Sequence, residues 1–266
     1  MITAGVDIGS TYTKVSVVVD GKVVGHGVVP TGAYADQAAA SCLEKALEMA
    51  KLKREDVQYI VSTGYGRNLV KLVMSNEAIS EISANAAGTR YIAAGQGIRT
   101  ILDIGGQDTK IISLDASGTM TKFQMNDRCA AGTGRFLEVM ARLLEIPLDL
   151  LGPESLKSTN PVVISSTCTV FAKSEVASML ARKIPKVDIA AGLHKSMAER
   201  MAIMARRVGV VEKVFFDGGP ARNSGMRKAL EDELKVKMLV WETPQIVTSI
   251  GAAMIAADKL KEKGKA

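Results

Sequence analysis

Strand-end aspartates, a lysine and three turn glycines carry the plainest chemistry in this chain, because they belong to one phrase written twice. Val6-Asp7-Ile8-Gly9-Ser10-Thr11-Tyr12-Thr13-Lys14 returns as Leu102-Asp103-Ile104-Gly105-Gly106-Gln107-Asp108-Thr109-Lys110. Each copy sits among β-branched residues and reads as strand, tight glycine turn, strand. A glycine without a Cβ lets backbone N–H groups approach a polyphosphate, and a strand-end aspartate can hold hydrated Mg²⁺. Two such hairpins facing one another would grip a nucleotide from both sides. Asp7 and Asp103 are therefore read as metal or phosphate groups and as candidate catalytic residues. Ser10, Thr11, Thr13 and Lys14 offer hydroxyl, backbone and cationic contacts to β- and γ-phosphates, with Gly9 and Tyr12 completing the first turn. Thr13 and Lys14 alternate faces if both lie on the outgoing strand, so only one of them reaches in. Gly105 and Gly106 form the second cradle. Gln107 is placed to orient a hydrolytic water, and Asp108 competes with it for that role.

The three cysteines divide into two kinds. Cys42 stands at an apolar position of an expected helix and reads as buried and structural. Cys129 and Cys168 each stand just before an expected helix, among small or hydroxyl residues, where the helix end stabilises a thiolate or a bound anion. A [4Fe–4S] cluster usually takes four cysteines, and two chains related by a two-fold axis would supply them. On spacing alone the pair also fits inert buried thiols, and no C-x-x-C occurs. The only histidines are His26 and His194, so chemistry needing a histidine base or several histidine ligands is disfavoured. His26 reads as a solvent-facing strand residue, and His194 as a surface position of an amphipathic helix.

The elements that must position these residues follow a repeated order. The first hairpin runs through Val23–Val29 to a helix at Asp36–Lys51, a strand at Val57–Ser62 and a turn from Thr63 to Asn68. A helix over Ser80–Ala94 precedes the second hairpin, which begins at Thr100 and extends through Gly118 to Phe123. Helices are expected at Gly132–Leu144, Phe171–Lys183 and Ile189–Val208. The strand Lys213–Phe216 enters Asp217-Gly218-Gly219, and helices follow at Ser224–Glu233 and Ile250–Lys263. Strands first and crossover helices after them, in both halves, indicate an α/β protein of two related lobes with a cleft between them. The expected division is a first lobe of residues 1–96 joined by a C-terminal helix at 248–266, and a second lobe of residues 97–247 carrying Cys129 and Cys168.

Composition narrows the function classes. The chain has 266 residues, 47% of them hydrophobic, which suits a globular protein with a sizeable core. No run reaches the roughly 18 apolar residues of a membrane helix. Met1 leads directly into the strand Ile2–Ile8, so a cytoplasmic protein without a signal peptide is expected. A net charge of +6 fits ordinary solubility, and aromatics at 4% with no interleaved basic stretch argue against nucleic acid. The lysine-rich tail from Lys259 to Ala266 reads as a solvated helix end, open to an acidic partner. The 13 methionines read mostly as helical core.

The two D-I-G hairpins and Phe216-Asp217-Gly218-Gly219 resemble the phosphate loops and adenosine loop of the actin, hexokinase and heat-shock chaperone ATPase superfold, built from duplicated ribonuclease H-like lobes. More narrowly, the stretch from Asn126 to Phe136, with Asp127-Arg128-Cys129-Ala130-Ala131-Gly132-Thr133-Gly134-Arg135, resembles one family. So does Ser165-Ser166-Thr167-Cys168-Thr169-Val170-Phe171. That family is the ATP-dependent activators (component A) of 2-hydroxyacyl-CoA dehydratases, relatives of the benzoyl-CoA reductase ATPase subunits. The resemblance covers nearly the whole chain, and sugar kinases of the same fold lack those cysteine motifs.

The resemblance implies ATP or ADP with Mg²⁺ in the interlobe cleft and one [4Fe–4S] cluster per homodimer, held by Cys129 and Cys168 of each subunit. It implies a helix running from cluster to nucleotide, with Glu138 as a ribose contact, although Gly132-Thr133-Gly134 also fits a plain helix start capped by Thr133. Gly218 and Gly219 would admit the adenosine, with Asn223 and Gln245 as adenine-side candidates. The implied activity is that of an ATPase taking an electron from reduced ferredoxin or flavodoxin and passing it to a dehydratase or acyl-CoA reductase. Two alternatives stay open on the residues alone: a small-molecule kinase without a cluster, and a cysteine-bridged ATP-binding scaffold or sensor.

Overall fold

The computed structural model describes residues 1–126, 129–166 and 168–264. Asp127, Arg128 and Thr167 of the cysteine motifs, and Lys265 and Ala266 of the tail, lie outside them. The chain forms two units: Met1–Ile98 with Leu114–Met120 and Gln245 onward, and Arg99–Ser113 with Thr121–Pro244.

The first unit is built on a sheet of β1 (Ile2–Ile8), β2 (Tyr12–Val19), β3 (Lys22–Pro30), β4 (Tyr59–Gly64) and β5 (Glu77–Ala78), in the order β3-β2-β1-β4-β5. β1 to β3 form an antiparallel meander, and β4 lies parallel to β1. The second sheet contains β6 (Thr100–Ile104), β7 (Thr109–Leu114), β8 (Met120–Asn126), β9 (Val214–Gly218) and β10 (Met238–Leu239), in the order β10-β9-β6-β7-β8. Read from its other edge, this is the first plan again. The doubled phrase is thus a doubled topology, as the α/β reading expects.

The helices are α1 (Ala35–Ala50), α2 (Arg67–Val73) and α3 (Glu81–Ile92) in the first unit. The second unit carries α4 (Gly134–Leu144), α5 (Leu148–Ser155), α6 (Thr169–Ala181), α7 (Lys186–Val208) and α8 (Ser224–Leu234). α9 (Val247–Lys263) returns to the first unit. α1 buries Ala39, Cys42, Leu43, Ala46 and Leu47, the i, i+3, i+4 stripe of a helix laid on a sheet. Small residues let α9 approach backbone to backbone. A Cβ at Gly251 would lie 1.7 Å from the Ala84 carbonyl of α3, and one at Gly5 of β1 would lie 2.0 Å from the Ser249 carbonyl. Such distances forbid any side chain there. In the second unit the core collects Met140, Met197, Met201 and Met226, all buried.

Candidate functional site

The first hairpin sets Asp7 on β1 directly opposite Lys14 on β2. Lys14 Nζ donates to Asp7 Oδ2 at 2.9 Å, and the aspartate side chain is only 2% exposed. Asp7 Oδ1 is buried without a hydrogen-bond partner among the described residues. An orphaned buried carboxylate oxygen is costly unless a cation or its water shell completes it, so this oxygen fits a hydrated divalent metal. Thr13 lies on the other face and is fully buried, its hydroxyl 3.0 Å from that of Thr31. Lys14 is therefore the member of that pair facing Asp7. At the turn, Gly9 N–H donates to the Tyr12 carbonyl at 3.1 Å and Thr31 Oγ1 to the Gly9 carbonyl at 2.7 Å. Ser10 and Tyr12 stay exposed and Thr11 half-buried, accessible to a ligand.

The second hairpin repeats this arrangement more deeply. Asp103 faces Lys110 across β6 and β7 and stands level with Asp217 on β9. Lys110 is 1% exposed, with Nζ 2.8 Å from Asp108 Oδ1 and 3.5 Å from Asp103 Oδ2. Asp108 Oδ2 is buried and unpartnered among the described residues, whereas Gln107 is exposed at the turn beside half-buried Gly105 and Gly106. Asp108 is thus tied to a lysine, and Gln107 is the side chain open to solvent.

Sequence reading misses one member of this set. Gly64 ends β4 beside Ile8, as Gly218 ends β9 beside Ile104. Both take positive φ, +86° and +82°. A Cβ at Gly64 would lie 2.4 Å from the Ile8 carbonyl and 2.8 Å from Asp7 Oδ1, and one at Gly218 would lie 2.1 Å from the Ile104 carbonyl and 2.9 Å from Asp103 Oδ1. Only glycine satisfies both demands. The available signal is a buried β-branched strand ending in Thr63-Gly64, the counterpart of Asp217-Gly218.

Beyond Gly218, a short 3₁₀ turn over Gly219–Arg222 leads to Asn223, whose Oδ1 caps α8 by accepting from Met226 N–H at 2.9 Å. Its buried Nδ2 has no partner among the described residues and is a donor in reserve. Glu138 on α4 pairs with Arg135 at 2.7 Å. Gln245 lies in a 3₁₀ turn, Pro244–Ile246, at the entry to α9.

Around Cys129 the structure departs from expectation. The sequence predicts one helix running from Gly132, so that Cys129 and Glu138 would share a rigid rod. Instead a 3₁₀ turn spans Ala130–Gly132, and Thr133 is extended at φ −132°, ψ 168°. α4 begins only at Gly134. The Thr133 hydroxyl turns back to the Ala130 carbonyl at 2.8 Å, so it does not cap α4. Short-range bonding to the preceding turn wins over helix propagation. The same segment is fastened to the second hairpin. Gly134 N–H donates to the Gly105 carbonyl at 2.8 Å, Arg135 N–H to the Gly106 carbonyl at 3.0 Å and Thr109 Oγ1 to the Gly132 carbonyl at 2.6 Å.

Cys129 is half-buried, its N–H donating to Asn126 Oδ1 at 3.2 Å. Cys168 is exposed at the N-cap of α6. Cys42 is fully buried, its thiol donating to the Thr13 carbonyl at 3.4 Å, and burial pushes its pKa up to about 12. It is the inert structural cysteine expected. Among the described residues no three His, Cys, Asp or Glu side chains gather to hold a metal. Two accessible thiols in one chain fit half of a four-thiolate set.

The sequence pattern of the BadF/BadG/BcrA/BcrD ATPase family matches residues 4–256, nearly the whole chain. The chain belongs to that family. This ATPase is 45% identical over 258 residues to the (R)-2-hydroxyglutaryl-CoA dehydratase activating ATPase of Acidaminococcus fermentans, across 97% of each chain. It superposes with a TM-score of 0.94 on the activator of the 2-hydroxyisocaproyl-CoA dehydratase from Clostridium difficile with bound ADPNP, at 43% identity over 100% of this chain and 97% of that one. A ROK family glucokinase from Streptomyces griseus, in complex with glucose and AMPPNP, matches at TM-score 0.61 and 15% identity over 97% of this chain and all of that one, a likeness of fold alone.

A second correction in this ATPase concerns His194. The sequence places it at the surface, yet it is 1% exposed on α7, a helix buried along much of its length between α5 and α8. Neither ring nitrogen has a partner among the described residues, and burial pushes its pKa down to about 4. In the unfolded chain it ionises near its usual 6.5. The folded state therefore holds it neutral. That contribution is complete above pH 6.5, falls as the pH drops toward 4, and amounts to about 3 kcal/mol at full extent. Urea melts of wild type should lose stability between about pH 7 and pH 4.5, and His194→Gln should flatten that loss. Parallel pH profiles would place the titrating group elsewhere. No helix among the described residues is long and apolar enough to cross a membrane.

Proposed function

We propose that this ATPase is the electron-donating activator of a 2-hydroxyacyl-CoA dehydratase or a related acyl-CoA reductase, working in the cytoplasm as a homodimer. Reduced ferredoxin or flavodoxin is its reductant, and Mg-ATP its nucleotide. Asp7 and Asp103 serve the metal side, with Gly9 to Lys14 and Gly105 to Gln107 on the phosphates. Gly218, Gly219, Asn223, Glu138 and Gln245 serve the nucleoside. Cys129 and Cys168 of each subunit would hold one shared [4Fe–4S] cluster, which when bound supplies a single low-potential electron.

One observation carries the reading. The Gly105-Gly106 turn, a phosphate cradle by its repetition, accepts backbone hydrogen bonds from Gly134 and Arg135, just beyond the 3₁₀ turn that follows Cys129. A shift of that turn on nucleotide exchange therefore moves the cysteine segment without needing a continuous helix. A nucleotide does such work only through unequal affinity for two states. Anaerobically reconstituted protein should release iron to a chelator at different rates in ADP and in a non-hydrolysable ATP analogue. Equal rates, with both nucleotides shown to bind, would sink this coupling.

A further inference from the structure

The feature of the second unit that no role above absorbs is Arg200 of α7. It is half-buried. Its Nη1 donates to the Ala131 carbonyl at 3.0 Å, and its Nη2 to the Ser166 carbonyl at 2.7 Å. Ala131 stands two residues after Cys129, and Ser166 two residues before Cys168. One planar fork therefore spans both cysteine segments, although they lie far apart in sequence. Burial lowers the pKa of this guanidinium, and Cys129 lies near enough for its charge to oppose that shift. An arginine remains charged through such a perturbation.

A second anchor acts on one segment only. Glu175 of α6 accepts from Ser165 N–H at 2.9 Å, Ser165 Oγ at 2.9 Å and Ser166 N–H at 3.0 Å. Partial burial pulls its carboxyl up, but the hydrogen bonds from Ser165 and Ser166 outweigh this and hold it below the usual range.

We propose that Arg200 is the positioning residue of the cysteine site: its guanidinium clamps the Cys129 and Cys168 segments together and supplies fixed positive charge to the anion they bind. The electrostatic half rests on the cluster reading above; the clamp does not. Lysine cannot replace the clamp, because one ammonium lacks the two-pronged geometry that reaches both carbonyls, but it retains the charge.

Arg200→Met, Arg200→Lys and Glu175→Gln separate these roles through two measurements. Hydrogen exchange on the iron-free protein follows the peptides carrying Ala131 and Ser166, with β1 peptides reporting that the fold is intact. Arg200→Met and Arg200→Lys should each speed exchange about tenfold or more in both peptides, the loss expected of charge-assisted hydrogen bonds. Glu175→Gln should speed only the Ser166 peptide. Unchanged exchange in either peptide of the Arg200→Met protein overturns the clamp. The second measurement is the midpoint potential of anaerobically reconstituted protein. Arg200→Met should shift it to more negative values, since the lost cation had favoured the added electron, while Arg200→Lys should stay near wild type. Equal potentials in wild type and Arg200→Met overturn the electrostatic role. Wild type that takes up no iron would sink the cluster reading, and with it the electrostatic role, and leave the exchange result to decide the clamp.

Discussion

Cys129→Ser and Cys168→Ser protein, reconstituted anaerobically, should each hold no iron, while wild type holds about four irons per dimer, the content of one Cys₄ cluster. The two residues are the accessible thiols of the chain; the third, Cys42, is buried on the sheet-facing stripe of α1. A serine hydroxyl at either site remains protonated at neutral pH and cannot give the anionic soft ligand that iron–sulfur chemistry requires. In the proposed homodimer each substitution would be repeated in the second subunit, so a single change would remove two of the four proposed ligands at once. Cys42→Ser should keep its iron, since it conserves a donor to the Thr13 carbonyl and costs only the burial of a hydroxyl, about 1–2 kcal/mol. Iron analysis with size-exclusion chromatography decides the matter. Iron retained by either single variant, or about four irons on a monomer, would show that the ligands are not this shared set.

Much of this arrangement is legible in the sequence because it is local. A nine-residue phrase fixes a hairpin, so the two hairpins with Asp7 and Asp103 at equivalent strand ends follow from the sequence, while the register of the strands decides that Lys14 and not Thr13 faces Asp7 and that Lys110 faces Asp103. The seat of Cys168 just before a helix is legible too, from the small and hydroxyl residues around it, whereas the 3₁₀ turn after Cys129 is not. What escapes depends on partners distant in sequence. Gly64 matters because it lies against Ile8, and its counterpart follows Asp217 where Gly64 follows Thr63, so the repeat is hidden at that strand. α2 is concealed in a glycine-rich turn and α5 by Gly152-Pro153, breaker residues that the fold tolerates here. His194 is misplaced because α7 is covered on more than one face, which no hydrophobic period announces. Arg200 gives no signal at all, since its partners are two backbone carbonyls of other segments.

Asp7→Asn and Asp103→Asn should each lower Mg-ATP turnover by about 10²-fold or more, the scale on which single preorganised electrostatic groups act. Both carboxylates sit at a strand end beside a lysine, and Asp7 keeps one buried oxygen without a donor among the described residues. An amide there has the same shape but loses the charge that a divalent metal needs. The two variants should differ in stability. Asp103→Asn leaves Lys110 its 2.8 Å partner Asp108, whereas Asp7→Asn weakens the ion pair of Lys14, a lysine that solvent reaches. Neither should cost the 3–5 kcal/mol or so of a buried charge left wholly unpaired. Gln107→Ala belongs to another class. Exposed at the turn, Gln107 should leave ADP affinity within about twofold of wild type when truncated and slow hydrolysis alone, as expected of a side chain that orients water. Titrating nucleotide binding beside steady-state turnover separates the classes. If Gln107→Ala lost affinity in step with the aspartate variants, Gln107 would be a ligand and the hydrolytic water would have to be oriented by another group of the second hairpin.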